Sequence, residues 1–178
     1  MSIVLWQIAA KVIVEARKSG RLLEFGVCTD EVIRSYHAVG VDLQKEVHEG
    51  VEKSFSAYPR RWRWLTSHPD TNIDHRRVPN LMIFFSRKGE TLPITEQAKD
   101  YLPGDLVTWD LGGGVPHIGI VVEETSAERN RHLICAPHRA GPEKGRCLVP
   151  MENHRTLPLL RTRLVISSHF RAVSPKAS

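Results

Sequence analysis

Pro103-Gly104-Asp105-Leu106-Val107-Thr108-Trp109-Asp110-Leu111-Gly112-Gly113-Gly114-Val115-Pro116-His117-Ile118-Gly119-Ile120-Val121-Val122 is the stretch on which the fold turns. Pro103-Gly104-Asp105 has the residues of a tight turn, Leu106 to Trp109 those of a strand, Gly112-Gly113-Gly114 those of a loop, and Pro116 to Val122 those of a second strand. Upstream the texture is helical. Thr29, Val32, Ile33 and Tyr36 form one apolar stripe, with Asp30 and Glu31 in the first turn, where the helix dipole favours negative charge, and Gly40 just past its end. A further helix is expected across Leu43 to Phe55, and Leu81 to Phe85 is an apolar run too short for periodicity to choose between strand and helix. Helices first and sheet afterwards predict an α+β domain, with N-terminal helices packed on a small antiparallel sheet, rather than alternating βαβ units.

The chain has 178 residues, 41% hydrophobic and 25% charged, with 12 Gly and 11 Pro. That composition excludes disordered and collagenous chains and supports one globular core. At the N-terminus Leu5, Ile8, Ala9 and Val12 recur at helical spacing, so residues 1–24 are expected to hold a core-facing helix. The same stretch has no positive n-region, carries Lys11 inside and lacks a small-residue cleavage site, so no signal peptide is visible. No apolar run reaches the length of a bilayer span. The formal net charge is +5, yet residues 1–134 carry 17 basic and 18 acidic side chains, while the stretch from Cys135 onward carries 8 and 2. Basicity confined to one end does not specify a nucleic-acid partner. Arg60, Arg61 and Arg63 interleave with Trp62 and Trp64, but this pattern equally describes a solvated helix face, and no nucleic-acid fold motif accompanies it. No nucleic-acid partner is expected.

Three cysteines without regular spacing do not make a disulfide framework. Cys28 is the sharpest chemical candidate, because it stands at an expected helix start, where unpaired backbone N–H groups and the dipole would lower its thiol pKa. His117 is its natural general base. On composition alone, a lone Cys beside an apolar stripe is more simply a buried core residue. The ordered set Gly26-Val27-Cys28-Thr29-Asp30, Pro103-Gly104-Asp105-Leu106-Val107 and His117-Ile118-Gly119-Ile120-Val121 resembles the NlpC-type papain-like cysteine hydrolases. With Asn72-Ile73-Asp74-His75-Arg76-Arg77-Val78-Pro79-Asn80-Leu81 and Trp109-Asp110-Leu111, it is similar to the bacterial family called domain of unknown function 1287, over residues 25–134. The resemblance implies a papain-like fold, a Cys28 nucleophile, a His117 base, and amide cleavage in a peptide or peptidoglycan-type substrate through a thioester, with no cofactor and no metal. It also implies a third polar residue, usually His, on the next strand, where it orients the base. Asp74, His75, Arg76 and Arg77 are candidate substrate-binding residues, since an Arg fork suits a carboxylate; a structural ion-pair loop is the competing reading.

Past Ile134 the protein departs from the family pattern. The family continues L-I-V-H-[HN]-I-G and closes near P-W-K-I-T-G-H-Y-R-Y, whereas this chain reads Cys135-Ala136-Pro137-His138-Arg139 and then Met151 to Leu159. The codons CCA TGG AAA ATC ACC GGA CAC TAC CGT TA, read one base out, become ATG GAA AAT CAC CGG ACA CTA CCG TTA, which is Met151 to Leu159 residue for residue. An inserted T after the Ile134 codon likewise spells Cys135 to Arg139. Residues 135–178 are therefore expected to be an out-of-frame, irregular basic tail, with Ala136 where the third His would stand and any hydrolase activity impaired. A non-catalytic binding domain is the alternative. His132, Cys135, His138 and Cys147 are good zinc ligand types, but their spacing fits no standard finger.

Overall fold

The computed structural model describes residues 27–59, 68–126, 132–136, 148–149 and 160–163. The expected N-terminal helix, the Trp62/Trp64 cluster, His138 and Cys147 lie outside them. Helix α1 spans Cys28–Ala38, α2 Leu43–Lys53 and α3 Val78–Lys88, with a 3-10 turn at Asp74–Arg76 between the last two. The strands are β1 Glu90–Thr91, β2 Leu106–Asp110, β3 Pro116–Thr125, β4 His132–Cys135, β5 Leu148–Val149 and β6 Leu160–Arg163. They form one sheet in the order β1-β6-β2-β3-β4-β5, antiparallel at every pairing. The α+β class expected from the sequence is what the chain adopts.

Each helix has a local reason to start. The Asp30 carboxylate accepts the Val27 backbone N–H at 3.0 Å and closes the first turn of α1. Asp42 does the same for α2, accepting from the Lys45 N–H at 3.1 Å. In α3, Pro79 occupies the first turn, where its missing N–H costs nothing. The run Leu81 to Phe85 resolves as helix because it lies within eleven consecutive helical residues, with Leu81, Phe84 and Phe85 buried at the spacing of one helix face.

Two apolar clusters cover the two faces of the sheet. Val32, Tyr36, Val47, Leu81, Phe85, Leu106, Ile118, Ile120 and Cys135 meet on the helix side. Tyr101, Val107, Trp109, Val121, Ile134 and Ala136 pack on the other. Burial on both faces explains why β2 and β3 read as almost unbroken apolar runs instead of alternating ones. The β2–β3 register pairs Trp109 with His117 and Val107 with Gly119. Gly119 is required by the approach of β4: a Cβ there would lie 2.6 Å from Ile134 Cγ2 and 2.7 Å from the Cys135 carbonyl oxygen. Gly119→Ala is expected to cost about 1–3 kcal/mol by overpacking, read as a lower urea midpoint; an unchanged midpoint would show that β4 yields freely.

The sheet continues past residue 134 in β5 and β6. Within β6, Arg161 is 4% exposed, and Asp105, in the turn before β2, is fully buried at 0%. Arg161 donates from Nε at 3.0 Å and from Nη2 at 2.7 Å to Asp105 Oδ2, and Arg163 donates from Nε at 2.8 Å to Oδ1. The Arg161 fork also donates to the carbonyls of Pro93 and Asp100, and its guanidinium lies 4.4 Å above the Tyr101 ring. So a segment expected to be irregular supplies an interior strand, held by charge-assisted bonds where its apolar patterning is weak.

Candidate functional site

Cys28 is the first residue of α1, and its side chain is 7% exposed, against the helix-side core. Burial pushes its thiol pKa up, and the Asp30 carboxylate adds to the rise. Hydrogen bonds from the backbone at Ile118, Thr29 and Cys28 itself work the other way and stabilise a thiolate. The lowered pKa expected of a helix-start Cys is thus overturned in the resting protein, because desolvation outweighs the N–H groups of the first turn. Ile118 follows His117 on β3, so the strand that carries His117 is the one against which the thiol rests. The His117 ring is half-buried and packs edge-on against Trp109, with ring centroids 4.9 Å apart.

Residue 136 belongs to the same region. Gly119 would place its Cβ 3.0 Å from Ala136 Cβ. His117 and Gly119 alternate onto one face of β3. A side chain longer than Ala at 136 would therefore project beside Gly119 on the His117 face, while Cys135 points to the helix side and donates from Sγ to Glu31 Oε1 at 3.4 Å. No cluster of His, Cys, Asp and Glu suited to a metal ion occurs among the described residues, which do not include His138 and Cys147.

The 74–77 block divides. Asp74, 2% exposed, turns its carboxylate away from α1: Oδ2 accepts the Asp70 backbone N–H at 2.9 Å and lies 2.9 Å from His48 Nδ1 on α2. Its backbone carbonyl accepts from Asn80 Nδ2 at 3.0 Å, so Asp74 ties α2 and α3 together. Arg77 caps α3 and accepts the Leu81 N–H on its carbonyl at 3.1 Å. His75 is 8% exposed, with Nδ1 buried and without a hydrogen-bond partner among the described residues. Arg76 reaches the Cys28 helix directly, with Nε 3.5 Å from Asp30 Oδ1 and its carbonyl accepting from Thr29 Oγ1 at 3.3 Å. Sequence reasoning named these four together and missed Asp30 as the partner of Arg76. The signal available was its position, two residues after Cys28 and at a capping spacing from Val27.

Burial, then the Arg76 charge, pulls the His75 pKa below its ordinary 6.5. The folded pKa lies under the unfolded one, so this contribution to stability is complete above about pH 6.5 and is lost as the pH falls below that value and through the lower folded pKa. Thermal melts of the wild type should drop between about pH 7 and 5 more steeply than those of His75→Gln; parallel slopes would remove His75 as a source of acid sensitivity.

No helix of the described residues is long and apolar enough to cross a membrane. No solved structure matches the chain. An uncharacterized protein of Escherichia coli (strain K12), YijF, is 51% identical over 98 residues, which are 55% of this chain and 47% of the relative. The chain thus spans about half the length of the curated relative it matches. The profile of the family described as Domain of unknown function (DUF1287) matches residues 20–156, a stretch that holds Cys28, the 74–77 block, Asp105 and His117, and the chain is a member of that family.

Proposed function

We propose that this domain is a papain-like cysteine hydrolase of the NlpC type, which cleaves amide bonds, with peptides of the cell-wall kind as the substrate class. Cys28 is the nucleophile and His117 the base that takes its proton. The observation that carries the reading is the seating of the Cys28 thiol on backbone N–H groups at the helix start and at Ile118, the residue that follows His117 on β3. These groups suit a thiolate and, later, the thiolate leaving group of a thioester. Attack forms the S–C bond to the acyl carbon, the thiol proton passes through His117 to the departing amine, and water then hydrolyses the thioester. Because burial keeps the resting thiol protonated, this chemistry depends on His117 removing the proton as substrate binds.

The test compares the wild type with Cys28→Ala on a cell-wall peptide, following release of the new amine. Turnover lost in the variant supports the assignment. Equal turnover by both forms rules it out. The raised Cys28 pKa and the absence of a titratable side chain at Ala136 favour a second reading, a non-catalytic binding domain; that reading gains if neither form turns over while the peptide still binds.

We also propose that a one-base insertion near codon 134 put the tail out of frame and replaced the base-orienting His by Ala136. Arg161 and Arg163 then serve the sheet in whichever frame they arose. A gene read across that codon that shows no base whose removal restores V-H-H-I-G would sink this.

A further inference from the structure

We infer that Arg76 is the specificity residue of the Cys28 site and selects substrates that carry a free carboxylate close to the scissile amide. The inference rests on the reading of Cys28 as nucleophile and adds the chemical class of what is brought to it. Arg76 is anchored twice to the first turn of α1. Its carbonyl accepts from Thr29 Oγ1 at 3.3 Å, and its Nε lies 3.5 Å from Asp30 Oδ1, residues one and two positions beyond Cys28. The Nε contact spends one edge of the guanidinium. The side chain is still 45% exposed, and the terminal Nη groups have no hydrogen-bond partner among the described residues. A planar fork held at its base with its end open matches a carboxylate in bidentate geometry.

The acidic charge of the block is already committed. Asp74 is given to His48 and the Asp70 N–H. Asp30 is the carboxylate in contact with Arg76 that would repel an anionic substrate here. Its Oδ2 accepts the Val27 N–H at 3.0 Å while Oδ1 faces Arg76, so much of its charge is answered within the turn. What faces outward at the first turn of α1, the turn that Cys28 opens, is the cationic end of Arg76.

Two reagents of nearly equal size test this without a known substrate. Iodoacetate and iodoacetamide both alkylate a thiolate, forming an S–C bond as iodide leaves, but only iodoacetate carries a carboxylate. Both meet the same thiolate, so the ratio of their rates at one pH cancels the Cys28 pKa and any change that a substitution makes to it. Modification is followed on the peptide bearing Cys28, because Cys135 is also a free thiol. The iodoacetate-to-iodoacetamide ratio at Cys28 should be about fivefold or more higher in the wild type than in Arg76→Gln, as expected for one unscreened cation at short range. Equal ratios overturn the inference, as does an Arg76→Gln effect that slows both reagents alike, which would make Arg76 a structural tie only. A native Cys28 that neither reagent modifies, although both label it after unfolding, fails the nucleophile reading itself and takes the inference with it.

Discussion

Asp105→Asn is expected to destabilise the fold by about 3–5 kcal/mol, the largest effect of any single substitution on stability. Asp105 has no solvent exposure and receives both Arg161 and Arg163, with the Leu102 N–H donating to its Oδ2 at 3.1 Å. The amide is isosteric, but it carries no charge and turns one acceptor into a donor facing a guanidinium. It leaves Arg161, only 4% exposed, as an unpaired buried cation. Arg161→Met should cost less, since it removes the charge that needs a partner and leaves Asp105 its Arg163 contact. Urea denaturation of the three proteins gives the comparison. An Asp105→Asn loss below about 1 kcal/mol would mean that the pair is solvent-screened in solution, as surface pairs are.

The largest effect on activity is expected at Cys28 and His117 together. Either Cys28→Ala or His117→Ala should lower amide turnover by about 10³-fold or more, and the double variant should be no worse than the poorer single one, because a nucleophile and its base fail as a unit. Non-additivity is the informative part. If His117 merely packs on Trp109, its loss acts through stability and multiplies with that of Cys28. A double variant markedly worse than either single one would therefore separate the two residues. Burial also predicts that iodoacetamide labelling of Cys28 in the folded protein keeps rising at pH values where an exposed thiol has levelled off, since the thiol is held above its ordinary pKa.

Much of the framework was legible in the sequence because its signals are local. The stripe Thr29, Val32, Ile33, Tyr36 announces α1, and the Pro103 to Val122 stretch announces the β2–β3 hairpin with its glycine tip. Cys28 and His117 were singled out as candidates by type and motif, and the structure sets the Cys28 thiol beside the strand that bears His117. Other features were hidden for physical reasons. Strand β6 is four residues long and includes two arginines, so neither period-2 patterning nor hydrophobicity marks it. Its stabilising partner is Asp105, 56 positions upstream of Arg161, and an acid in a Pro-Gly-Asp turn reads as exposed until the pairing is seen. Asp74 was grouped with Arg76 by adjacency, yet the two side chains serve different helices. The charge arithmetic changes meaning as well: part of the basic excess from Cys135 onward is spent on one buried aspartate rather than displayed to a partner.

The strand order carries a consequence for how the chain acquires its structure. Strand β6 follows β5 in sequence but sits between β1 and β2, the first two strands made. Until residue 163 has left the ribosome, β2 is an edge whose unpaired N–H and C=O groups stand open beside a finished hairpin. Sheet closure is thus a late, long-range event, slow by its loop length and exposed to wrong pairing in the interval. Refolding from denaturant should show the helix signal recovering before Arg161 meets Asp105, and chains stopped short of β6 should collect as aggregates rather than as smaller folded domains.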